Sequence, residues 1–453
     1  MAKLTFFGGA GEVTGANICI ETETQKILVD CGLHQGSSEE TDEKNAEKFA
    51  YDPSTMDVLF ITHAHADHVG RVPKIAHEGF SGVIYSTHET KAIAALVLED
   101  SLKIFEDHEK KYGIKPLYTH ADVQKALSLW KEISFNEQVH LKDGVVAHMT
   151  PVGHILGAGA VHFVRHGKKL VCTGDIGNSP DVLLPHPEAI SDAQFMVTES
   201  VYGDRLHDDR EQRTELFKNI IIDTIAHKRC LLIPSFAVHR TQSLLLEINN
   251  MVESQEIPQI PVFLDSPLAA KATEIYQGAT RHFNDVVKKQ IQGGDDVFAF
   301  PKLSIIKNGH SSELIQHTNN PKIIIAGSGM SVGGRVVSHE QALISDANTT
   351  ILFVGFQAPG TLGRRIQEGQ KKLKFGEEWV KARARIETIH GYSGHADRDG
   401  LMDFIGQSEK SLEKVFVIMG EPRAAQFLAQ RVHDFMGIET VAPQEKESFE
   451  INW

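Results

Sequence analysis

The apolar positions in the first part of the chain predict short strands that end in polar loops. Residues 4–30 are predicted to form three strands around a turn at residues 8–15, which is too dense in glycine for a helix. The apolar run at residues 58–61 has the length of a short buried strand. A helical pattern follows from about residue 68 to residue 77. The polar stretch between them is therefore a loop that leads from a strand into a helix.

Longer helical patterns follow, and the chain later changes character. Residues 91–111 and 122–131 are predicted helices, with Thr119 as the N-cap of the second. After about residue 204, strands and helices alternate, which indicates parallel α/β units. The pattern predicts three segments: a first domain over residues 1–204, an inserted α/β domain over 205–385, and a return to the first domain over 386–453.

The polar loop after the apolar run contains His63, His65, Asp67 and His68. Three imidazoles and a carboxylate so close together are costly unless a cation binds them. His63 and His65 can point to the same side of an extended backbone, whereas Asp67 and His68 can face a neighbouring point from the helix start. Neutral imidazole and carboxylate groups suit zinc. The spacing predicts two adjacent metal ions rather than a histidine-rich surface loop.

This motif resembles the signature of the metallo-β-lactamase superfamily, in its hydrolase branch, which has Asp at the fifth position. Further matches narrow the resemblance to the β-CASP group of RNA-processing nucleases. The resemblance implies an α/β fold, namely an αβ/βα metallo-β-lactamase sandwich with an inserted α/β β-CASP domain. It also implies two zinc ions, single-stranded RNA as the substrate, and an active site in the cleft between the two domains.

Other polar residues at the ends of predicted strands match motifs of this family. Asp30 ends a strand, where a carboxylate either orients a ligand imidazole or forms an Asx-turn, and the resemblance places it in the first superfamily motif. His154 follows a strand among small residues and matches the third motif. Asp175 ends another strand and matches the fourth motif, in which one carboxylate bridges both metals. The resemblance thus implies that His154 and Asp175 are metal ligands.

Two more residues match motifs that are special to the β-CASP group. Glu199 ends a strand, and His395 lies in a loop after residue 390. The resemblance implies that His395 is the general acid that protonates the leaving 3′ oxygen and that Glu199 orients it. A metal-bound hydroxide, held by Asp67 and both metals, would attack phosphorus.

The predicted insert contains several loops that suit anions. Glycine-rich loops at helix starts present backbone N–H groups, and nearby arginines add guanidinium donors for phosphate. Any one such loop is more often a tight turn, but together they resemble the β-CASP domain, which clamps RNA over the metal centre. The predicted RNA-phosphate contacts are Ser235, Arg240, Ser328, Gly329, Arg335, Arg364 and Arg365.

Composition narrows the class of protein further. The formal net charge of −14 argues against nonspecific coating of nucleic acid. Residues 364–385 nevertheless hold eight basic and three acidic side chains, which form either a track for RNA or a solvated face. The chain has no apolar run near the roughly 18 residues needed to cross a membrane. Its four cysteines are scattered, so we expect a reducing compartment, the cytoplasm. A homodimer is expected from the family.

One position departs from the family pattern. Met419 stands before Gly-Glu, where the family has a histidine that binds the second metal. A thioether is a poor zinc ligand beside carboxylate and imidazole. Only Asp67, His68 and the bridging Asp175 remain for that ion, so its affinity should fall unless water or His390 completes the set.

The sequence therefore favours one function and leaves two alternatives. The favoured function is zinc-dependent hydrolysis of RNA, with endonuclease and 5′→3′ exonuclease action both open. The first alternative is a catalytically weakened RNA-binding or scaffold protein of the same fold. The second, less favoured, is a small-molecule ester or thioester hydrolase, for which the large insert with its anion-binding loops is unnecessary.

Overall fold

The computed structural model describes residues 1–36, 39–207, 212–306, 309–358 and 360–453. The chain divides into two compact units, which we call the sandwich unit and the insert unit. The sandwich unit contains Met1–Asp181, Pro185–Leu206 and Gly394–Trp453. The insert unit contains Val182–Leu184 and His207–Ser393. The domain limits predicted from the sequence stay a prediction.

The sandwich unit is built on two seven-stranded sheets. The strands of the first sheet are β1 (Ala2–Gly8), β2 (Asn17–Glu21), β3 (Lys26–Val29), β4 (Val58–Phe60), β5 (Val83–Thr87), β6 (Trp130–Ile133) and β22 (Ser448–Ile451). The strands of the second are β7 (Val139–His140), β8 (Val146–Pro151), β9 (Gly159–Arg165), β10 (Lys168–Cys172), β11 (Phe195–Thr198), β20 (Lys414–Val417) and β21 (Glu439–Val441). Their spatial orders are β22-β1-β2-β3-β4-β5-β6 and β21-β20-β11-β10-β9-β8-β7.

The two sheets bury their apolar faces against each other. Phe60 on β4 meets Phe163 on β9 edge to face, with ring centroids 5.2 Å apart. The ring centroids of Phe6 on β1 and Phe416 on β20 lie 5.5 Å apart. The helices of this unit are α1 (Glu39–Ala46), α2 (Ala66–Val69), α3 (Val72–His77), α4 (His88–Tyr112), α5 (His120–Ser128), α13 (Arg398–Gly406) and α14 (Pro422–Met436).

Parallel strands bring the functional loops to common edges of the two sheets. In the first sheet, β3, β4, β5 and β6 run parallel, and in the second sheet β10, β11, β20 and β21 do so. The carboxyl ends of such strands share one edge of their sheet. The loops that follow β4, β10 and β11 carry most of the predicted metal-site residues.

The insert unit has a six-stranded parallel sheet with spatial order β14-β13-β15-β12-β16-β19 and a separate two-stranded hairpin. The strands of the sheet are β12 (Cys230–Pro234), β13 (Val262–Asp265), β14 (Leu303–Ile305), β15 (Lys322–Ala326), β16 (Thr349–Phe353) and β19 (Arg385–Thr388). The hairpin consists of β17 (Lys372–Phe375) and β18 (Glu378–Lys381). The helices are α6 (Arg213–Ala226), α7 (Arg240–Glu253), α8 (Pro267–Gly278), α9 (Asp285–Gln292), α10 (Gly309–His317), α11 (Gly334–Leu343) and α12 (Leu362–Gln367).

The predicted fold class is confirmed, and two predicted helices differ in detail. The helix predicted over 122–131 ends at Ser128, because Trp130 pairs with Ile84 as part of β6 and its indole N–H donates to Ser86 Oγ at 2.8 Å. The helix predicted over 68–77 is two short helices, interrupted after Val69. No helix within the described ranges is long and apolar enough to cross a bilayer.

Candidate metal centre

The predicted metal ligands lie in three loops of the sandwich unit. The first loop follows β4 and enters α2, whose N-cap is His65 with an extended backbone. The second follows β8 and carries His154, and the third follows β10 and carries Asp175. Gly32 allows the first loop to approach closely, because a Cβ there would lie 1.5 Å from the carbonyl oxygen of Asp67.

Four of these side chains form one donor group. The ligand atoms of His63, His65, His154 and Asp175 all lie within 4.8 Å of one another. His65 Nδ1 is 3.1 Å from both His63 Nε2 and His154 Nε2. Asp175 Oδ2 is 3.4 Å from His63 Nε2 and from His154 Nε2. A tetrahedral zinc ion with ligands at about 2.0–2.1 Å places its donors about 3.3 Å apart, so three imidazoles and one carboxylate at these distances fit the ion.

The electrostatics of the group also suit a cation. Burial lowers the pKa of His63, and it holds the pKa values of His65 and His154 well below the usual range, so these rings are neutral and their lone pairs are free to bind metal. Next to them, His68 Nε2 and Asp175 Oδ1 are buried, lie 3.2 Å apart, and have no hydrogen-bond partner in the described structure. Unsatisfied buried donors and acceptors are costly, and a bound cation would satisfy both.

Asp30 and Thr62 hold His68 in place. Asp30 is buried, and its carboxylate accepts hydrogen bonds from Thr62 N at 2.8 Å, Thr62 Oγ1 at 2.8 Å and His68 Nδ1 at 2.7 Å. Burial opposes a charge on His68, but the Asp175 and Asp30 carboxylates outweigh it and hold the pKa of His68 well above its usual range, so the metal-free ring is protonated on both nitrogens. A cation bound at Nε2, 3.2 Å from Asp175 Oδ1, would displace the proton there, while Asp30 keeps the one on Nδ1. This is the arrangement in which a carboxylate fixes the tautomer of a metal-binding imidazole.

Replacing Asp30 with Ala is expected to destabilise the sandwich unit by about 3 kcal/mol, because the buried donors Thr62 N and His68 Nδ1 would lose their acceptor. Chemical denaturation, followed by the fluorescence of the buried Trp130 and Trp453, measures the free energy of unfolding. The exposed Asp52, which accepts a hydrogen bond from Ser54 N, provides the control Asp52→Ala. Equal unfolding curves for the two variants would contradict the role assigned to Asp30.

A second donor group consists of Asp175, Glu199 and His395. His395 Nδ1 lies 3.1 and 3.2 Å from the Glu199 carboxylate oxygens and 3.8 Å from Asp175 Oδ2. Glu199 is itself fixed, since Ile176 N and Val201 N donate to its two oxygens at 2.7 and 3.3 Å. Burial opposes a charge on His395, but the Glu199 and Asp175 carboxylates outweigh it and raise the pKa of His395 to about 9. The ring can therefore carry a proton at neutral pH.

Two positioning groups were not predicted from the sequence. Thr62 directly precedes His63 and follows β4, so its place next to the motif could have indicated its role. The backbone carbonyl of Gly394 accepts a hydrogen bond from His154 Nδ1 at 2.9 Å. The sequence gives no sign of this contact, because the two residues are 240 positions apart.

Comparisons with known proteins identify the family of this chain. Residues 11–221 match the metallo-β-lactamase superfamily model, 241–366 the β-CASP domain, and 379–443 the Zn-dependent metallo-hydrolase RNA specificity domain. The chain is 32% identical to ribonuclease TTHA0252 of Thermus thermophilus over 431 residues, which cover 92% of this chain and 97% of the relative. The chain belongs to the β-CASP family of metallo-β-lactamase hydrolases.

The chain is also similar to more distant proteins. Transcription termination factor FttA of Methanosarcina mazei is 29% identical, over 97% of this chain and 70% of the relative. FttA of Pyrococcus horikoshii is 29% identical, over 99% and 71%. A crystal structure of a protein of unknown function from Enterococcus faecalis shares the fold, with a TM-score of 0.56 at 13% identity and 99% coverage of both chains. The predicted family and the prediction of a metal-dependent hydrolase are confirmed.

In this β-CASP chain, the predicted second ligand set is only partly assembled. His68 and Asp175 face each other, but neither donor group found among the described residues includes Asp67. His390 is exposed, belongs to the insert unit, and is also outside both groups.

Met419, the position at which the sequence departs from the expected pattern, packs as a core residue. It is 2% exposed and belongs to the apolar core between the two sheets. Its sulfur extends toward Gly9, where an added Cβ would lie 2.6 Å from Sδ. Met419 also lines the same small buried cavity as Asp30, His68 and Glu199. Position 419 is therefore close to His68 within this cavity.

Several predicted RNA-phosphate contacts of the β-CASP domain lie in loops at the carboxyl ends of parallel strands. Ser235 is buried directly after β12, and Arg240 begins α7, with its guanidinium carbon 5.5 Å from the ring centroid of Tyr392. Ser328 and Gly329 lie between β15 and α11. The structure brings these loops to one edge of the insert sheet.

The other three predicted phosphate contacts are arginines in different surroundings. Arg335 is bound within the protein, since it donates to the fully buried Asp265 at 2.5 Å. Arg364 donates to Glu368 at 2.7 Å on the surface. Arg365 has a buried Nε with no hydrogen-bond partner in the described part of the chain.

Proposed function

We propose that this chain is a zinc-dependent ribonuclease that hydrolyses phosphodiester bonds of single-stranded RNA. The observation that carries the proposal is the position of Asp175, which belongs both to the four-donor group and to the group with His395 and Glu199. One carboxylate thus lies between a metal site and a proton donor. The ribonuclease name of the Thermus relative supports RNA as the substrate.

The residues of this chain have separate tasks in the proposed reaction. His63, His65, His154 and Asp175 would hold the first zinc ion. When bound, zinc supplies Lewis-acid stabilisation of the phosphate and activates the attacking water. Because the three imidazoles are neutral, Asp175 supplies the one negative charge of the four-donor group. A bound dication would therefore keep a net positive charge, which attracts RNA phosphate.

His395 is proposed to donate the proton that the leaving 3′ oxygen needs. Glu199 binds Nδ1 of the ring, so Nε2 is the nitrogen available to the substrate. Glu199 also stabilises the positive charge that the ring carries before the transfer. The side chain of His395 is 24% exposed, which gives RNA access to a ring that is otherwise fixed.

His68, Asp175 and Asp67 would hold the second zinc ion in an incomplete site. Asp67 is outside the two compact donor groups, but burial raises the pKa of its carboxyl, which also interacts electrostatically with His68 and Asp175. Met419 specifically favours a second candidate function, an RNA-binding protein with weakened catalysis, because it removes one ligand from this site. Incubation of a labelled single-stranded RNA with the zinc-loaded protein separates the two candidates. Cleavage supports the ribonuclease, and binding without cleavage supports the scaffold. Turnover of a generic ester without RNA binding would favour a small-molecule hydrolase instead.

Replacing Met419 with His is expected to raise the zinc content from about one ion per chain toward two, because the imidazole would complete the second ligand set. The cleavage rate should rise with it. Elemental analysis after equilibrium dialysis against zinc measures the occupancy, and Met419→Leu is the matched control that keeps an apolar side chain of similar size. An unchanged zinc content in Met419→His would show that other groups already complete the site.

Two further expectations from the family stay proposals. Assembly into a homodimer is testable by sedimentation velocity of the full chain. Location in the cytoplasm is testable by cell fractionation.

A further inference from the structure

The hairpin of the insert unit has two chemically different faces. In its register, Lys372 lies opposite Lys381 and Lys374 lies opposite Trp379. Directly opposed residues of an antiparallel pair point to the same side, and residues two apart along a strand do so as well. Lys372, Lys374, Trp379 and Lys381 therefore share one face, which we call the lysine–tryptophan face.

The opposite face of the hairpin anchors it to its unit. Leu373 and Phe375 alternate with the lysines along β17 and are buried in the apolar core of the insert unit. Val380 on β18 packs against the same core. The apolar face holds the hairpin against its unit. Because side chains alternate between the two faces of a strand, the lysine–tryptophan face is then fixed on the outside.

Trp379 is unusual among the tryptophans of this chain. Its side chain is 65% exposed, whereas Trp130 and Trp453 are 4% and 3% exposed. Burying an aromatic side chain stabilises a fold, and this residue gains little of that stabilisation. An exposed indole between lysines is a flat surface on which a nucleobase can stack.

The positions of the lysines on this face lower the stability of the hairpin. Lys372 lies directly opposite Lys381, and like charges in this position destabilise a sheet. Within the described ranges, neither of them has a carboxylate within 4.0 Å, and Lys374 reaches Glu377 at 3.4 Å on the open surface. The basic segment 371–385 holds six basic and two acidic residues in a chain of net charge −14.

The arginines of the same basic track are used differently. Arg364 is paired with Glu368 at 2.7 Å, and Arg385 is paired with Asp223 at 2.8 Å and with Glu387 at 2.5 Å. These arginines form ion pairs within the protein. Among the described ion pairs, Lys372 and Lys381 of the lysine–tryptophan face have no carboxylate partner, and Lys374 has only the exposed Glu377 at 3.4 Å.

We propose that the lysine–tryptophan face is a binding site for single-stranded RNA, with a base stacked on Trp379 and phosphates bound by Lys372, Lys374 and Lys381. The inference rests on the proposed function and adds a substrate contact to it. A single strand is favoured over a duplex, because only unpaired bases can leave their stack to meet the indole. A polyanion is favoured over a neutral partner because the face carries three positive charges.

The test uses the full chain and a fluorescently labelled oligouridylate, together with an abasic oligomer of the same length. Trp379→Ala is expected to weaken binding of the oligouridylate about tenfold, since one stacked base is worth about 1–3 kcal/mol, and to leave abasic binding unchanged. Trp379→Phe should keep most of the wild-type affinity for the oligouridylate. The double variant Lys372→Gln/Lys381→Gln should bind both oligomers more weakly. It should also reduce the steepness of log K against log salt by about 1.4, because each of the two lost phosphate contacts contributes about 0.7.

The controls separate this site from the proposed activity. Phe435→Ala removes another exposed aromatic side chain, from α14, and Lys110→Gln removes a lysine from α4, and neither should change binding. Unchanged binding in Trp379→Ala and in the double lysine variant, while the wild type still cleaves RNA, would overturn the inference and leave the ribonuclease intact. The inference would also be overturned if the variants lost as much affinity for duplex RNA as for single-stranded RNA. Tighter binding of an acidic peptide than of RNA by the wild type would overturn it as well. A wild type that neither binds nor cleaves RNA would instead overturn the proposed function.

Discussion

Replacing Asp175 with Asn is expected to remove most bound zinc and to lower RNA cleavage about 10³-fold, because the metal supplies several kcal/mol of transition-state stabilisation and each 1.36 kcal/mol is a factor of ten. Asp175 faces His63 and His154 at 3.4 Å, His68 at 3.2 Å and His395 at 3.8 Å. No other carboxylate of the four-donor group can replace its charge. Zinc content by elemental analysis and the rate of RNA cleavage are the two measurements.

The control for this variant is Asp192→Asn, which changes an exposed carboxylate that pairs with Lys169 in the same unit. It should keep the zinc content and rate of the wild type. A zinc content equal to that of the wild type in Asp175→Asn would contradict the assignment of Asp175 as a ligand. Loss of cleavage with full zinc content would limit Asp175 to orienting other groups.

Replacing His395 with Gln is expected to lower cleavage by about 10²–10⁴-fold, the usual contribution of a general acid, while the zinc content stays unchanged. The loss should largely disappear with an RNA whose scissile 3′ oxygen is replaced by sulfur, because a thiolate leaves without a proton. Single-turnover rates on the two substrates give the comparison.

Glu199→Gln and His140→Gln complete this series. Glu199→Gln should give an intermediate loss, since the ring of His395 would keep its place but lose the carboxylate that stabilises its charge. His140→Gln alters an exposed histidine on β7 and should have no effect. A fall in zinc content in His395→Gln would mean that the ring is a metal ligand, and an equal loss on both substrates would exclude its role as the acid.

Most members of the two donor groups could be picked out from the sequence, because these residues closely follow strands. His63 comes three residues after Phe60 and Asp175 three residues after Cys172, so short apolar runs and the residues behind them could be read locally. The prediction that distant loops meet, such as those of His65 and His154, 89 residues apart, came from the family resemblance. Nothing in the local pattern of His154 alone distinguished a ligand from a buried core histidine.

The parts that were not predicted depend on side-chain packing or on register. The carbonyl of Gly394 can bind His154 only in the folded chain, and Thr62 acts through a side chain whose partner Asp30 is on another strand. The basic track could be counted from the sequence, but the lysine–tryptophan face depends on which residues lie opposite one another in the hairpin. The predicted C-terminal end of α5 was wrong, because Trp130 pairs in the sheet although its sequence pattern is helical.

The most direct test of the account is RNA cleavage by one preparation of the full chain before chelation, after chelation, and after zinc is restored. Cleavage of a labelled single-stranded RNA is expected to disappear when the metal is removed and to return when zinc is added back. Cleavage that persists in metal-free protein, or that is absent from protein shown to hold zinc, would contradict it.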